Sequence, residues 1–384
     1  MSRTIVDIHV LQTVPPSNIN RDDTGSPKTA VYGGVRRARV SSQAWKRATR
    51  VHFQSTLDSS EVGMRTKRVA ELVAEQIVAQ APSLEPQAQE LATQILTKAG
   101  IKMVEPKVKK GTEIVEPATS GYLLFLSARQ VHNLAALAVT VGQSPDQAAA
   151  LDAIKGEARA AADSEHSIDI ALFGRMVADQ KDLGVDAAAQ VAHAISVHAV
   201  DNEFDYFTAI DDRSPEDQSG AGMIGTVEFN SSTLYRYATV DVNALLDNLG
   251  SVEATAKAVK AFVTSFVRSM PTGKQNTFAN RTLPEAVVVI VRDSQPINLV
   301  QAFESAVTVP SGQSRVTEAC NRLASEAEEI HEAYGEKPVA LFVNRHGDAT
   351  APLGVLGKST PLPELVEVLA ELVDGRLRSG HAGG

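Results

Sequence analysis

Between residues 24 and 57 the sequence places seven Lys/Arg side chains and no Asp or Glu, in a chain whose formal net charge is −9. They are Lys28, Arg36, Arg37, Arg39, Lys46, Arg47 and Arg50, set among Ser41, Ser42 and Gln43. Removing these seven charges from −9 leaves −16 for the rest of the chain. Phosphate oxygens need positive charge and hydrogen-bond donors together, so the stretch reads as a localized anion site on an otherwise acidic protein. Gly33-Gly34, just ahead of the arginine cluster, lets backbone approach a ligand closely.

Other reactive side chains form no persuasive catalytic set. His193 and His198 are five residues apart, which suits neither the i, i+4 spacing of a helix nor one face of a strand. Asp22-Asp23 and Asp211-Asp212 could ligate a metal, but both pairs lie in turn-like stretches where Asp is common for structural reasons. No Gly-x-Ser-x-Gly and no phosphate-binding Gly-x-x-x-x-Gly-Lys loop occurs. The expectation is therefore a protein without catalytic residues, metal or cofactor.

The elements that must hold the basic residues can be read from pattern. Ile5, Val6, Ile8, Val10 and Leu11 make an opening strand with Asp7 and His9 interleaved. Ser41-Ser42 can cap a helix to about Phe53. On it Gln43, Lys46, Arg47 and Arg50 share one side, while Ala44, Ala48 and Val51 face the other way, toward a sheet. The helix N-terminus adds free N–H groups for a phosphate. Residues 64–100 read as two Ala- and Gln-rich helices broken at Ala81-Pro82, 102–120 as a loop, and 121–141 and 145–165 as further helices. This block is an insertion into a β-containing core. From Ala188 to Ile210 the pattern turns strand-like, and a polar tip from Asp211 to Gly222 separates it from two runs, Thr226 to Asn230 and Leu234 to Val240. That reads as a long β-hairpin. Phe204, Tyr206 and Phe207 on it could be core or could stack on bases. Met176 on its own reads as core. Helices over 252–269, 316–334 and 362–377 and strands over 285–291 and 338–344 complete an α+β pattern.

Composition narrows the class. The 384 residues suffice for two or three domains or one large domain with insertions, and 43% hydrophobic with 22% charged residues is ordinary for a globular protein. No apolar run is long enough for a bilayer span, and the N-terminus reads as a strand rather than a signal peptide. With Cys320 the single cysteine, there is no disulfide or zinc framework, and a cytoplasmic location is expected. Net acidity argues against nonspecific coating of DNA or membrane.

Several motifs resemble one family. They are Asn20-Arg21-Asp22-Asp23, Tyr32-Gly-Gly-Val-Arg36-Arg37-Ala-Arg39-Val-Ser41-Ser42-Gln43-Ala-Trp-Lys46-Arg47-Ala, Asp169-Ile-Ala-Leu-Phe-Gly-Arg175-Met176, and Ala192-His193-Ala194-Ile195. Phe204-Asp-Tyr-Phe207-Thr208-Ala-Ile210-Asp211-Asp212, Phe229, Leu234-Tyr-Arg-Tyr-Ala238 and Pro271-Thr-Gly-Lys274-Gln275 follow in order. Over residues 3 to about 310 the chain resembles the CasC family, the backbone subunit of the type I-E CRISPR Cascade complex; the block 58–165 and the chain's end match poorly.

The resemblance implies an RRM-like (ferredoxin-like) palm, a helical fingers insertion and a β-hairpin thumb. The implied division is palm at 1–57, fingers at 58–180, a palm strand at 181–200, thumb at 201–225 and palm again at 226–384. It implies a non-catalytic protein that stacks head to tail along one CRISPR RNA and presents it for pairing with a target DNA strand. Its partners would be further copies of itself and the large, small, 5′-end-binding and guide-processing subunits. The implied RNA-binding residues are Asn20, Arg21, Lys28, Arg39, Ser41, Gln43, Lys46 and Arg50 on the palm and Arg175 and Met176 on the fingers. Phe207, Thr208 and Ile210 would lie on the thumb, and Lys274 and Gln275 on a second loop. Phosphate contacts are blind to sequence, so one protein could hold any guide. Two alternatives remain: a guide-processing endoribonuclease of related fold, which would need a His or Tyr/Lys acid–base set, and a generic single-stranded RNA binder.

Overall fold

The computed structural model describes residues 3–104, 117–177, 183–209 and 223–381. The chain divides into two compact units. One comprises Met1–His52, Gln190–Asn243 and Val259–Gly384; the other comprises Phe53–Ala189 and Ala244–Ala258.

The first unit is built on a mostly antiparallel sheet. Its strands are β1 (Ile5–Ser17), β2 (Thr29–Tyr32), β3 (Val35–Val40), β4 (Ala189–Val191), β5 (Ala194–Ser196), β6 (Glu203–Ala209), β7 (Met223–Asp241), β8 (Ala286–Arg292) and β9 (Ala340–Arg345). The main path runs β9-β8-β1-β7-β5-β3-β2, with β4 and β6 also pairing with β7. β1 lies inside the sheet, antiparallel to β7 (Ile5 opposite Asp241) and to β8 (Ile5 opposite Arg292). Both faces of β1 are buried, so Asp7 and His9 are inside with the apolar residues. Asp7 is satisfied there by Arg292 Nε (3.0 Å), Tyr237 OH (2.8 Å) and the Ile297 N–H (3.1 Å). Helix α1 (Ser42–Phe53) follows the first three strands, α2 (Val252–Arg268) follows β7, α3 (Arg315–Ala333) precedes β9 and α4 (Leu362–His381) ends the described chain. Ala319, Cys320, Leu323 and Ala327 of α3 pack on Leu11, Tyr235, Val288 and Ile290 of the sheet.

The second unit is mainly helical. Helices Val69–Gln80, Ala88–Lys98, Ala128–Gly142 and Lys155–Asp163 enclose a core that includes Val73, Ile77, Leu91, Ile95, Leu134 and Val141. Two short antiparallel pairs, Gly63–Thr66 with Leu124–Ser127 and Met103–Val104 with Thr119–Ser120, complete it.

Several expectations change. The helix expected over 121–141 begins only at Ala128, because Ser127 and Gln130 form a reciprocal capping box that ends the preceding strand. The two runs at 226–230 and 234–240 are one 19-residue strand, β7. The helical unit does not stop at 180: it takes in Ala244–Ala258, where Asn248 Nδ2 donates to the carbonyls of Ala171 (3.0 Å) and Asp186 (2.9 Å) and Lys257 pairs with Glu61 (2.6 Å).

Candidate nucleic-acid interface

The basic residues lie on β3, on α1 and, for Lys28, at the end of the loop before β2. Ser41 caps α1: its Oγ accepts from Ala44 N–H (3.3 Å), and its own N–H donates to Asn20 Oδ1 (2.8 Å). Asn20 therefore ties the 18–28 loop to the start of the helix. The loop is closed further by Lys28 N–H to Asn20 O (2.9 Å) and Arg39 N–H to Lys28 O (2.9 Å).

The buried side of α1 is not the one expected. Trp45, Thr49 and Phe53, at i, i+4 and i+8, are the buried residues, while Val51 is 53% exposed. The reason is volume: a tryptophan fills the gap over Phe266, with ring centroids 6.5 Å apart, where alanines would leave a void. Gln43 and Arg47 are exposed, and Lys46 and Arg50 are half-buried. Burial lowers the Lys46 ammonium pKa from its ordinary value. The adjacent arginines of β3 also part company. Arg36 is exposed, whereas Arg37 is fully buried and donates to the carbonyls of Tyr32, Ser196, Phe303 and Glu304 at 2.9–3.2 Å. Strand alternation sets them on opposite faces. Arg39 is half-buried, bonded to Thr29 O (3.2 Å) and to His193 Nδ1 (3.0 Å). A guanidinium only donates, so that His193 nitrogen is the acceptor and carries no proton. Partial burial, then Arg39 and Lys28, lower the His193 pKa.

A second loop reaches the same place. Lys274 (φ 51°) and Ala279 (φ 47°) are left-handed without being glycine, on either side of the single turn Gln275–Phe278. Such strain persists only where surroundings enforce it. Gly273 shows how: a Cβ there would lie 2.4 Å from Ile19 O. The Lys274-Gln275 turn thus rests on the 18–20 segment, and the Phe278 ring packs tilted against Phe229, centroids 5.7 Å apart, at the base of the β6–β7 hairpin. Asn18 Nδ2 bonds both Gly25 O and Glu228 O (2.9 Å each), fastening the first loop to that base. An open cleft of about 510 Å³ lies between Ile19–Gly25 and Gly273. Asp22 and Asp23 line it too, but Asp22 Oδ1 turns onto Thr24 and Ser26, which lower its pKa.

The hairpin pairs Phe204 with Glu228, Tyr206 with Thr226, Phe207 with Gly225 and Thr208 with Ile224. Phe204 is 67% exposed, Tyr206 63% and Phe207 37%, so none is core. Phe207 lies across Gly225, where an added Cβ would meet its ring at 2.4 Å. Phe204, Tyr206 and Thr208 point from the opposite face by strand alternation. Ile210 lies outside the described residues.

On the second unit, Met176 is 91% exposed, which removes the core reading. Arg175, beside it, is a correction in the other direction. It is buried, donating to Leu183 O (2.8 Å), Phe125 O and Gln130 Oε1 (3.4 Å each) and Asp163 Oδ1 (3.0 Å). Its donors serve protein groups, so it organizes the unit's interior. Ser41 is likewise buried and holds the helix cap.

The structure therefore gathers Asn20, Arg21, Lys28, Arg39, Gln43, Lys46, Arg50, Lys274, Gln275 and the hairpin base in one unit, and leaves Met176 exposed on the other. Sequence reasoning missed His193 as a neighbour of Arg39, and Gly273, Phe229 and Phe278 as the pieces that join loop to hairpin. His193, Phe229 and Gly273 stood in the quoted motifs with nothing to join them, and Phe278 left no trace. Among the described residues no three His, Cys, Asp or Glu side chains converge as a metal site, and no helix is long and apolar enough to cross a membrane.

Residues 6–368 match the family described as CT1975-like protein. The chain belongs to the CT1975-like protein family. Its fold is also that of two solved chains. It is similar to a chain of a pre-nicking CRISPR RNA-guided surveillance complex, with TM-score 0.80 and 32% identity, covering 96% of this chain and 100% of that one. It is similar to a chain of a second CRISPR RNA-guided surveillance complex, with TM-score 0.71, 28% identity, and 96% and 99% coverage. No curated protein matches significantly. The similarity of this CT1975-like chain to both takes in its two units, since it spans nearly the whole length.

Proposed function

We propose that this chain is the non-catalytic CRISPR RNA-binding backbone subunit of a Cascade-type surveillance complex, of type I-E and the CasC kind. The sheet unit is its RRM-like palm, the helical unit its fingers and the β6–β7 hairpin its thumb. The order β8-β1-β7-β5, with helices after β3 and β7, supports the palm reading. Copies polymerize along the guide in the cytoplasm and expose it to target DNA, with the other Cascade subunits at the ends and flanks. No metal or cofactor takes part.

The observation that carries this is that the 18–20 segment joins the start of α1, the Lys274 turn and, through Phe278 and Phe229, the hairpin base within one unit, in a chain with the fold of surveillance-complex subunits. Phosphate contacts from Arg21, Lys28, Gln43, Lys46, Arg50 and Lys274 would grip any sequence equally. The purified protein should bind guides of unrelated spacer sequence with affinities within about threefold. A strong preference for one spacer would refute the guide-scaffold reading.

One observation favours a second reading, the endoribonuclease. His193 sits beside Arg39 with a lowered pKa and an unprotonated Nδ1, as a general base beside a phosphate-binding arginine would. Incubation of the purified chain with precursor CRISPR RNA separates the two. The scaffold leaves the RNA intact, whereas cleavage abolished by His193→Ala would make the chain the nuclease.

A further inference from the structure

The Leu234-Tyr-Arg-Tyr-Ala238 segment of β7 carries a charge that the proposed function leaves unused. Arg236 is 1% exposed. Its Cζ stands 3.7 Å from the Trp45 ring centroid and 4.5 Å from that of Phe266. Nη1 donates to Gln12 Oε1 and Nη2 to Phe266 O, but Nε makes no hydrogen bond. Trp45 Nε1, also buried, makes none either. Among the described residues no carboxylate pairs with Arg236, in contrast to buried Arg292 with Asp7 and buried Arg175 with Asp163. Burial pulls its pKa down to about 9, which leaves it charged at neutral pH.

A buried cation without a counterion is costly. The cation–π contacts with Trp45 and Phe266 offset part of that cost but do not neutralize the charge. What the charge does have is a position. Trp45 is on α1, and the side chains of Gln43, Lys46 and Arg50 leave that helix on its other flanks. Because Arg236 lies in a low-dielectric interior one helix width below that surface, its field is weakly screened by solvent salt.

We propose that Arg236 is a positioning residue for RNA binding: its uncompensated charge raises the positive potential at the outer face of α1 where guide phosphates bind, acting through the helix rather than by contact. This rests on the proposed RNA-binding function. At about 12 Å and an effective dielectric near 20, loss of the charge should weaken RNA binding on the order of five- to tenfold.

The experiment compares RNA affinity and thermal unfolding for the wild type and for Arg236→Met, Arg236→Lys and Gln12→Glu. A fluorescent single-stranded RNA of guide length is the probe, at low and high salt. Arg236→Met leaves Gln12 Oε1 and Phe266 O without donors and should lower the unfolding temperature, while RNA affinity measured below the transition falls five- to tenfold, and Arg236→Lys should regain most of the loss. Gln12→Glu leaves Arg236 in place but sets a carboxylate against it, at the expense of the amide's bond to Thr282 O, and should reduce affinity by a similar factor. It decides the matter if the methionine variant fails to fold. Folded variants with wild-type RNA affinity would overturn the proposal. A wild-type protein that fails to bind the RNA would instead overturn the function on which it rests.

Discussion

Replacing Arg175 with Ala should destabilize the helical unit and leave the proposed RNA-binding surface of the sheet unit intact. The Arg175 side chain is 2% exposed and its partners are three interior acceptors, Leu183 O, Phe125 O and Gln130 Oε1, plus Asp163, whose side chain is 38% exposed. Asp163 can rehydrate once its partner is gone, so the ion pair itself counts for little. Burial lowers the Arg175 pKa more than Asp163 raises it, which points the same way: the guanidinium is held by geometry. The cost comes from leaving the carbonyls without donors, about 1–3 kcal/mol for each buried group, and from the void left by the side chain. A total of about 3–5 kcal/mol is reasonable, since the 3.4 Å contacts count for less than the 2.8 Å one to Leu183 O. For a unit of this size that corresponds to roughly 6–20 °C in unfolding temperature. Differential scanning calorimetry with parallel RNA titration below the transition measures both. A variant with the wild-type unfolding temperature but weakened RNA binding would refute the reasoning and return Arg175 to the RNA contacts.

Three further outcomes are expected. Lys46→Ala with Arg50→Ala should weaken binding equally for unrelated RNA sequences and flatten the salt dependence by roughly 0.7 log units for each phosphate no longer neutralized, as read from titrations at several salt concentrations. Gly225→Ala forces a Cβ to 2.4 Å from the Phe207 ring and should loosen the β6–β7 pairing, whereas Tyr206→Ala should leave it formed; amide hydrogen exchange on residues 203–209 reports the difference. Acid should destabilize the sheet unit through two buried neutral histidines, His198 and His9, whose pKa values burial lowers to about 4 and about 3. His198 Nε2 accepts from Thr233 N–H (3.1 Å) and Arg315 Nη1 (3.0 Å), so protonation must break both hydrogen bonds. Because the folded pKa values lie below the unfolded one of about 6.5, their contribution is complete above that pH and is lost as pH falls toward 4 and 3. Asp7, raised by burial, works in the opposite sense, so the unfolding free energy read from urea titrations should fall by at most about 1.4 kcal/mol per pH unit per histidine.

The long, patterned elements were legible in the sequence. The opening strand, α1 with its Ser41 cap, the strand at 286–292 and the helix at 315–333 all follow from apolar spacing and end signals. What was not legible depended on tertiary packing. Nothing local to Arg36-Arg37 says which one turns inward; that is decided by the carbonyls of Ser196, Phe303 and Glu304, more than 150 positions away. Trp45 reads as one aromatic in a basic helix, but it is the anchor of that helix because Arg236 and Phe266 meet it. Arg175 and Met176 stand together in one motif and separate in the fold, one buried and one exposed, because a bridge from Arg175 to Val185 turns the chain after the glycine at 174. The candidate RNA-binding residues hold together better, since most lie on segments directly joined through Asn20, Gly273 and Phe229.

If copies of this chain polymerize along RNA, the number bound follows RNA length. Native mass spectrometry of the purified protein mixed with single-stranded RNAs of stepwise increasing length tests it most directly. No assembly is expected without RNA, and the number of bound copies should rise by one for each fixed increment of RNA length. A single bound copy at every length, or oligomers of fixed size that form without RNA, would contradict it.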